Sequence, residues 1–172
     1  MITLEKWPYN RKEPLEELYA NTDQTYCLVQ LPVPLPLSSV REYLKAVRSE
    51  DLKGRPFLCY AIKNDGAIIG KIEASKDEEG EAELDLIIRR DMVNQGYGSQ
   101  ALGQFLSILK NKDWCSVLCA YVNADNIAIR KVLENSSFVQ GRDFAADVMV
   151  PDRGTYTMKT MKGTEYIYYF ER

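Results

Sequence analysis

Apolar residues recur along this chain in two rhythms, every second residue or every three to four, and the switches between them mark its elements. Ile2 and Leu4, with Trp7 just beyond, stand among polar neighbours and predict a first strand that Pro8-Tyr9-Asn10 ends. Leu15, Leu18 and Tyr19 fall on one helical face and predict a helix over residues 13–20. Val40, Tyr43, Leu44 and Val47 predict a second helix, with Ser38 and Ser39 as candidate caps. Between the two, residues 27–37 carry three prolines, which excludes a regular internal element and leaves a surface loop able to wall a pocket.

Strands dominate next. Residues 57–62 and 67–74 are apolar runs joined through Asn64-Asp65-Gly66, a strong hairpin signal because Asp-Gly tolerates the positive φ angles of a tight turn. Residues 81–88 make the following strand. Ala101, Leu102, Phe105, Leu106 and Leu109 then give a core-facing helix, residues 116–122 another strand, and residues 123–126 open a helix that runs to about residue 135. Residues 138–140 and 166–170 complete the strands. Residues 147–162 form a hairpin or an excursion between them, and periodicity does not fix the pairing there.

Composition narrows what such a chain can be. Its 172 residues fit one domain, residues 1–172, large enough to bury a core without staples. The longest apolar runs fall well short of the roughly 18 to 20 residues that cross a membrane, and Met1-Ile2-Thr3-Leu4-Glu5-Lys6-Trp7 shows no basic-then-apolar leader, so a cytoplasmic protein without membrane contact is expected. With 25 acids against 22 bases and only short basic clusters such as Arg89-Arg90, nothing marks a nucleic-acid partner; a cationic or amine substrate fits better. Cys27, Cys59, Cys115 and Cys119 read as buried free thiols, with Cys115 and Cys119 on one strand face. Histidine is absent, which removes Ser-His and Cys-His nucleophilic pairs and the usual transition-metal ligand, and no metal is expected. Proton transfer falls to Glu, Asp, Tyr, Lys, Cys or water.

The segment with most chemistry runs from strand Leu84-Asp85-Leu86-Ile87-Ile88 through Val93-Asn94-Gln95-Gly96-Tyr97-Gly98-Ser99 into the helix of Ala101 and Leu102. A Gly-x-Gly turn at a helix start leaves backbone N–H groups without partners at the positive end of the helix dipole, a setting for phosphate or pyrophosphate; taken alone it is equally a tight turn. No Gly-Lys-Ser/Thr follows, so it is not a P-loop. A Rossmann loop would want a third glycine near Ala101 and an acid at the end of the next strand, where Tyr121-Val122-Asn123 stands.

Three segments carry a resemblance. Val93-Asn94-Gln95-Gly96-Tyr97-Gly98 matches a Gln/Arg-x-x-Gly-x-Gly/Ala cofactor loop, with Val93 in place of the polar residue. Asn126, Leu133 and Phe138 match an Asn-x-x-Ser-x-x-x-Leu-x-x-x-Gly-Phe ending in which Ile129 and Ser137 replace Ser and Gly. Residues 1–7 are similar to the opening strand, and Ala82-Glu83-Leu84-Asp85-Leu86 to Ala-Glu-Ile-Gly-Tyr. On these, and on the order of elements, the chain resembles the GNAT superfamily of acyl-CoA-dependent N-acyltransferases, in its RimJ/RimL-like branch. The resemblance implies an α+β fold: a central mixed, mostly antiparallel twisted sheet of six to seven strands, flanked by about four helices, with a splayed central strand pair.

It also implies an acetyl-CoA-dependent N-acetyltransferase acting on a primary amine of a protein N-terminus, peptide or small molecule by direct attack in a ternary complex. Acetyl-CoA as co-substrate would lie in the splayed gap against Leu86, Ile87 and Ile88, with its pyrophosphate on Asn94, Gln95, Gly96, Tyr97, Gly98 and Ser99 beside Val93; Asn126 is a further contact or simply a helix cap. A carboxylate must take the amine proton, because an alkyl amine is mostly protonated at neutral pH. Glu83 aligns with the family's strand acid; Glu81 and Asp85 share its face at period two. A strand N–H near Ile87 or Ile88 would hold the oxyanion. Many relatives protonate the thiolate with a Tyr where this chain has Leu133, leaving Tyr97, Tyr121, Tyr169 or water. The departures at Val93, Leu133 and Ser137 keep open a module that binds acyl-CoA without turnover, or a fold kept for protein interaction. The Tyr166-Ile167-Tyr168-Tyr169-Phe170 run is a candidate shared edge for a homodimer.

Overall fold

The computed structural model describes residues 1–8, 10–28, 30–48, 57–77 and 79–171; Tyr9, Val29 and the side chains of Tyr43 and Val47 fall outside the described ones. Its elements are β1 (Ile2–Lys6), α1 (Glu13–Ala20), α2 (Leu37–Arg48), β2 (Phe57–Asn64), β3 (Ala67–Lys76), β4 (Ala82–Ile88), α3 (Tyr97–Asn111), β5 (Val117–Asn123), α4 (Ile127–Asn135), β6 (Val139–Asp152) and β7 (Thr155–Tyr169). The seven strands form one sheet in the order β1-β2-β3-β4-β5-β7-β6, antiparallel throughout except for β4 beside β5. Among the described residues, the mixed sheet with four α-helices is the α+β architecture expected.

Alternation explains why the sheet has helices on both sides. Ile2, Leu58, Tyr60, Ile62, Ile72 and Leu84 pack with Ala101, Leu102, Phe105 and Leu109 of α3 and Leu133 of α4 on one face. On the other, Cys59, Ala61 and Ile87 meet Leu15, Leu18 and Tyr19 of α1 and Val40 of α2. Trp7 is five residues past Ile2, on the opposite parity, so it leaves the first face and packs in this second cluster. The β2–β3 turn is the one predicted, with Asp65 at φ 50 and Gly66 at φ 83. Helix α2 starts two to three residues earlier than those caps would place it: Ser38 and Ser39 lie inside its first turn, and the Val40 N–H donates to the Pro36 carbonyl (3.1 Å).

Cys115 and Cys119 do not share a strand face. Cys115 precedes β5 and packs in the α3-side core, whereas Cys119 pairs in register with Glu83 outside that core, so period two never applied to both. All four cysteines are free thiols. Helix α4 closes with Ser137 in the left-handed region (φ 67), while Phe138 N–H donates to the Leu133 carbonyl (3.1 Å) and Ser137 N–H to that of Glu134 (3.2 Å). The 147–162 region is a hairpin of β6 and β7. Only Gly163 to Tyr169 of β7 also pair with β5, so the rest projects beyond the sheet as a two-stranded arm. Tyr166 and Ile167 therefore lie between β5 and β6 and are no free edge, whereas Tyr168 and Tyr169 of the expected edge pair with β5 alone.

Candidate active site

Strands β4 and β5 are paired only at Ala82 with Leu118 and Glu83 with Cys119, after which they diverge. Along the far edge of β4, Arg89 N–H donates to the Ile69 carbonyl (2.8 Å) in continuous antiparallel register with Ile87 opposite Lys71. Every second residue of β4 thus spends its backbone groups on β3, and the N–H and C=O of Leu86 and Ile88 point into the gap. Of the two backbone positions expected near an oxyanion, the register turns Ile88 to the gap and Ile87 away. Ile87 contributes its buried side chain instead.

Two cavities adjoin along this gap, with Tyr26, Cys27, Leu86, Ile87, Asn126 and Ile129 lining both. The larger, about 450 Å³, lies at the head of α3 and is lined by Val93, Asn94, Gly96, Tyr97, Gly98 and Ser99, together with Ile88. Gly96 is the N-cap residue at φ 77 and Asn94 stands at φ 61, a backbone path that glycine and asparagine tolerate. Gly96 has no side chain to cap the turn, so the first-turn N–H groups of α3 face the cavity at the positive end of the helix. Among the described residues, Arg90 and Lys131 line the same space against a single acid, Asp23, giving it a positive balance. That donor set and charge suit a pyrophosphate. Gln95 is the exception among the expected cofactor residues: its side-chain amide donates to the Asp91 carbonyl (3.2 Å) and it lines neither cavity. Asn126 caps α4 by accepting from Ile129 N–H (3.3 Å), and also lines both cavities, so its two readings coexist.

The smaller cavity, about 360 Å³, has the opposite electrostatics. Lys71 is 1% exposed; its ammonium contacts Glu73 Oε1 at 2.6 Å and Asp85 Oδ2 at 2.9 Å. Burial pulls its pKa down, but the carboxylates of Asp85 and Glu73 outweigh that and hold it well above the usual lysine value. It stays a cation. Glu83 lies two residues from Asp85 on the same face of β4; partial desolvation first, and the Asp85 charge second, raise its pKa above the ordinary 4.5. Tyr19, Tyr26, Tyr121, Asn123 and Asn126 add uncharged polar groups to the lining. Desolvation first, then the neighbouring charges of Cys119, Glu165 and Glu83, push the Tyr121 phenol upward, so it holds its proton.

The proline-bearing loop does wall this space, through Cys27, Leu28 and Leu31. Gln24 fixes it: its amide donates to the Leu31 carbonyl (3.0 Å) and accepts from Leu31 N–H (2.7 Å). The 147–162 hairpin, expected to shape the acceptor pocket, lines neither cavity. Glu81 precedes β4, is held by Asp77 through its backbone (2.9 Å each way), and also lines neither. Of the three tyrosines considered as acids, Tyr121 alone reaches the smaller cavity; Tyr97 lines the larger, and Tyr169 is 61% exposed away from both. Sequence reading missed Lys71 and Glu73, polar interruptions at period two in β3, and Arg90 and Lys131, which only the fold brings to the glycine turn.

Residues 2–139 match the family model described as an acetyltransferase (GNAT) domain. No curated protein matches the chain in sequence. Among solved structures, it is similar to the Salmonella typhimurium acetyl transferase that modifies the N-terminal serine of 50S ribosomal subunit protein L7/L12, at 12% identity over 99% of this chain and 95% of that one, with a TM-score of 0.77. The Brucella melitensis ribosomal-protein-alanine N-acetyltransferase is similar at 12% identity, 98% and 99% coverage and a TM-score of 0.74. RimL, the ribosomal L7/L12 alpha-N-protein acetyltransferase in complex with coenzyme A, follows at 14%, 98% and 93%, with a TM-score of 0.74. At these identities the structures speak for the fold, and the family model covers most of the sequence. The chain belongs to the GNAT acetyltransferases and has the fold of their RimL-like members.

Proposed function

We propose that the protein is an acetyl-CoA-dependent N-acetyltransferase that transfers the acetyl group directly to a primary amine in a ternary complex. The observation that carries this reading is the pair of adjoining cavities of opposite charge along the β4–β5 gap: a basic one at the uncapped head of α3, and an acidic one around Glu83.

In this reading Gly96, Tyr97, Gly98 and Ser99 hold the pyrophosphate through backbone N–H groups, with Arg90 and Lys131 adding charge. Leu86 and Ile88 offer their free backbone edges to the pantetheine amides as an added strand would. Acetyl-CoA, when bound, would supply an activated acyl group, and the gap-facing Ile88 N–H is the donor available to a developing oxyanion. Glu83 takes the proton of the incoming ammonium, directly or through water, and its raised pKa brings its basicity nearer to neutral pH. Asp85 is committed to Lys71 and Glu81 lies outside the cavity, so Glu83 is the base of the three candidates. As the new C–N bond forms, the nitrogen sheds its second proton to water. As the C–S bond breaks, Tyr121 or water gives one proton to the departing thiolate, Tyr121 being reprotonated from water, so that the net proton released is the one taken by Glu83. Leu133, fully buried beside the cavity, has no proton to give.

Incubation with acetyl-CoA and a panel of primary amines tests the proposal. It predicts amine-dependent release of free thiol and one acetyl amide per thiol by mass spectrometry. Tight acetyl-CoA binding with no thiol release for any amine would favour a non-catalytic acyl-CoA-binding module instead.

A further inference from the structure

Strands β3 and β4 set Glu73 directly opposite Asp85, a like-charged cross-strand pair that is unfavourable by itself. Lys71 resolves the conflict by reaching both carboxylates from the buried side. After this neutralisation the cavity still holds an acid surplus: among its described lining residues Lys71 faces Glu73, Asp85 and Glu83. Asp85 meets Lys71 through Oδ2 while its side chain stays 52% exposed. A second feature, independent of the acids, has the same preference. The rings of Tyr19, Tyr26 and Tyr121 line the same small cavity, two of them partly exposed, and aromatic faces attract ammonium groups. Tyr19 already stacks against one ammonium, with Lys71 Nζ 5.9 Å from its ring centroid.

One amine nitrogen beside Glu83 accounts for only part of this. Asp85 is two strand residues along, about 7 Å away at the usual rise, and offers a place for a second positive charge. Resting on the acetyl-transfer reading, we infer that the acceptor is a small diamine or polyamine: its reacting nitrogen lies at Glu83 and a second ammonium, a few methylenes away, lies between Asp85 and Tyr26. An uncharged or anionic tail would leave Asp85 without that partner.

The test uses the intact protein with acetyl-CoA and three acceptors that share one four-carbon chain and one primary amine. These are putrescine, the corresponding amino alcohol and the corresponding amino acid. The expected kcat/KM for putrescine exceeds that for the amino alcohol by about tenfold or more, the scale of one hydrogen bond to a charged group, with the amino acid lowest. The putrescine advantage should shrink in Asp85→Asn and in Tyr26→Leu, the second variant serving should the first fail to fold. Turnover in which the amino alcohol equals or exceeds putrescine overturns the inference and leaves the acetyl-transfer reading standing, as does an undiminished advantage in folded Asp85→Asn or Tyr26→Leu. Absence of thiol release with all three and with a wider amine panel removes both.

Discussion

Replacing Gly98 with Glu separates what the protein itself requires at the head of α3 from what a bound pyrophosphate requires. Gly98 is the second residue of the helix, and its backbone is not in the left-handed region. A Cβ there would meet only Leu86 Cδ2 at 3.8 Å and Val132 Cγ2 at 3.9 Å, ordinary van der Waals contacts. A Cβ therefore fits at this position without displacing either neighbour. Glutamate is a better helix former than glycine by about 0.5 kcal/mol, and an acid in the first turn adds about 0.3–1 kcal/mol through the helix dipole. Gly98→Glu should stabilise the folded protein by about 1 kcal/mol, raising Tm by roughly 2–4 °C. Its effect on cofactor should have the opposite sign. A carboxylate about 5 Å from a phosphate charge costs about 1 kcal/mol at the dielectric of water and about 3 kcal/mol at an effective constant of 20, which weakens CoA binding roughly five- to hundredfold. Urea unfolding and calorimetric titration with CoA measure the two effects separately. A stabilised variant that binds CoA as tightly as the parent would refute pyrophosphate binding at this helix.

Three further predictions follow from other parts of the molecule. Ser137→Gly should stabilise the fold by roughly 1 kcal/mol, because a left-handed backbone costs an L-residue about that much and glycine little; urea unfolding checks this, and a destabilised variant would contradict it. Lys71→Met removes the ammonium between Glu73 and Asp85 and should cost roughly 3 kcal/mol, the low end for a buried pair because Asp85 is half exposed. Adding Glu73→Gln and Asp85→Asn should recover most of that loss, and a triple variant as unstable as Lys71→Met would show the charge argument to be wrong. Glu83→Gln should lower kcat by roughly 10²- to 10⁴-fold, and the parent's rate should fall with acidification through a pKa above 4.5. Since folding raises that pKa, ionising Glu83 weighs against the folded state as pH rises through it, so the Gln variant should be at least as stable at neutral pH. A Gln variant that keeps the parent's rate would remove Glu83 from the chemistry.

Local signals made much of the fold legible. The Asp65-Gly66 turn, the helical stripes of α1 and α3, and the Asn126 cap are each decided within a few residues, and each lies where the periodicity put it. The glycine turn was legible for the same reason: its φ angles are set by Asn94 and Gly96 themselves. Features that depend on distant strands were not. The long β6–β7 arm is held by cross-strand pairing, such as Met149 with Met158, that no single-strand pattern specifies. Lys71 reads as one polar residue in an apolar run, because its reason for being there is Asp85 on the next strand. Arg90 and Lys131 lie on separate elements that converge only when α4 packs beside α3. Cys115 misled because alternation was extended two residues before the strand begins.

A structure determined with acetyl-CoA bound would test the central claim most directly. The pyrophosphate is expected on the backbone N–H groups at the head of α3, the pantetheine along Leu86 and Ile88 in the β4–β5 gap, and the thioester opening toward Glu83 in the acidic cavity. A pyrophosphate bound elsewhere, or a thioester carbon with Glu83 beyond the reach of one bridging water, would contradict it.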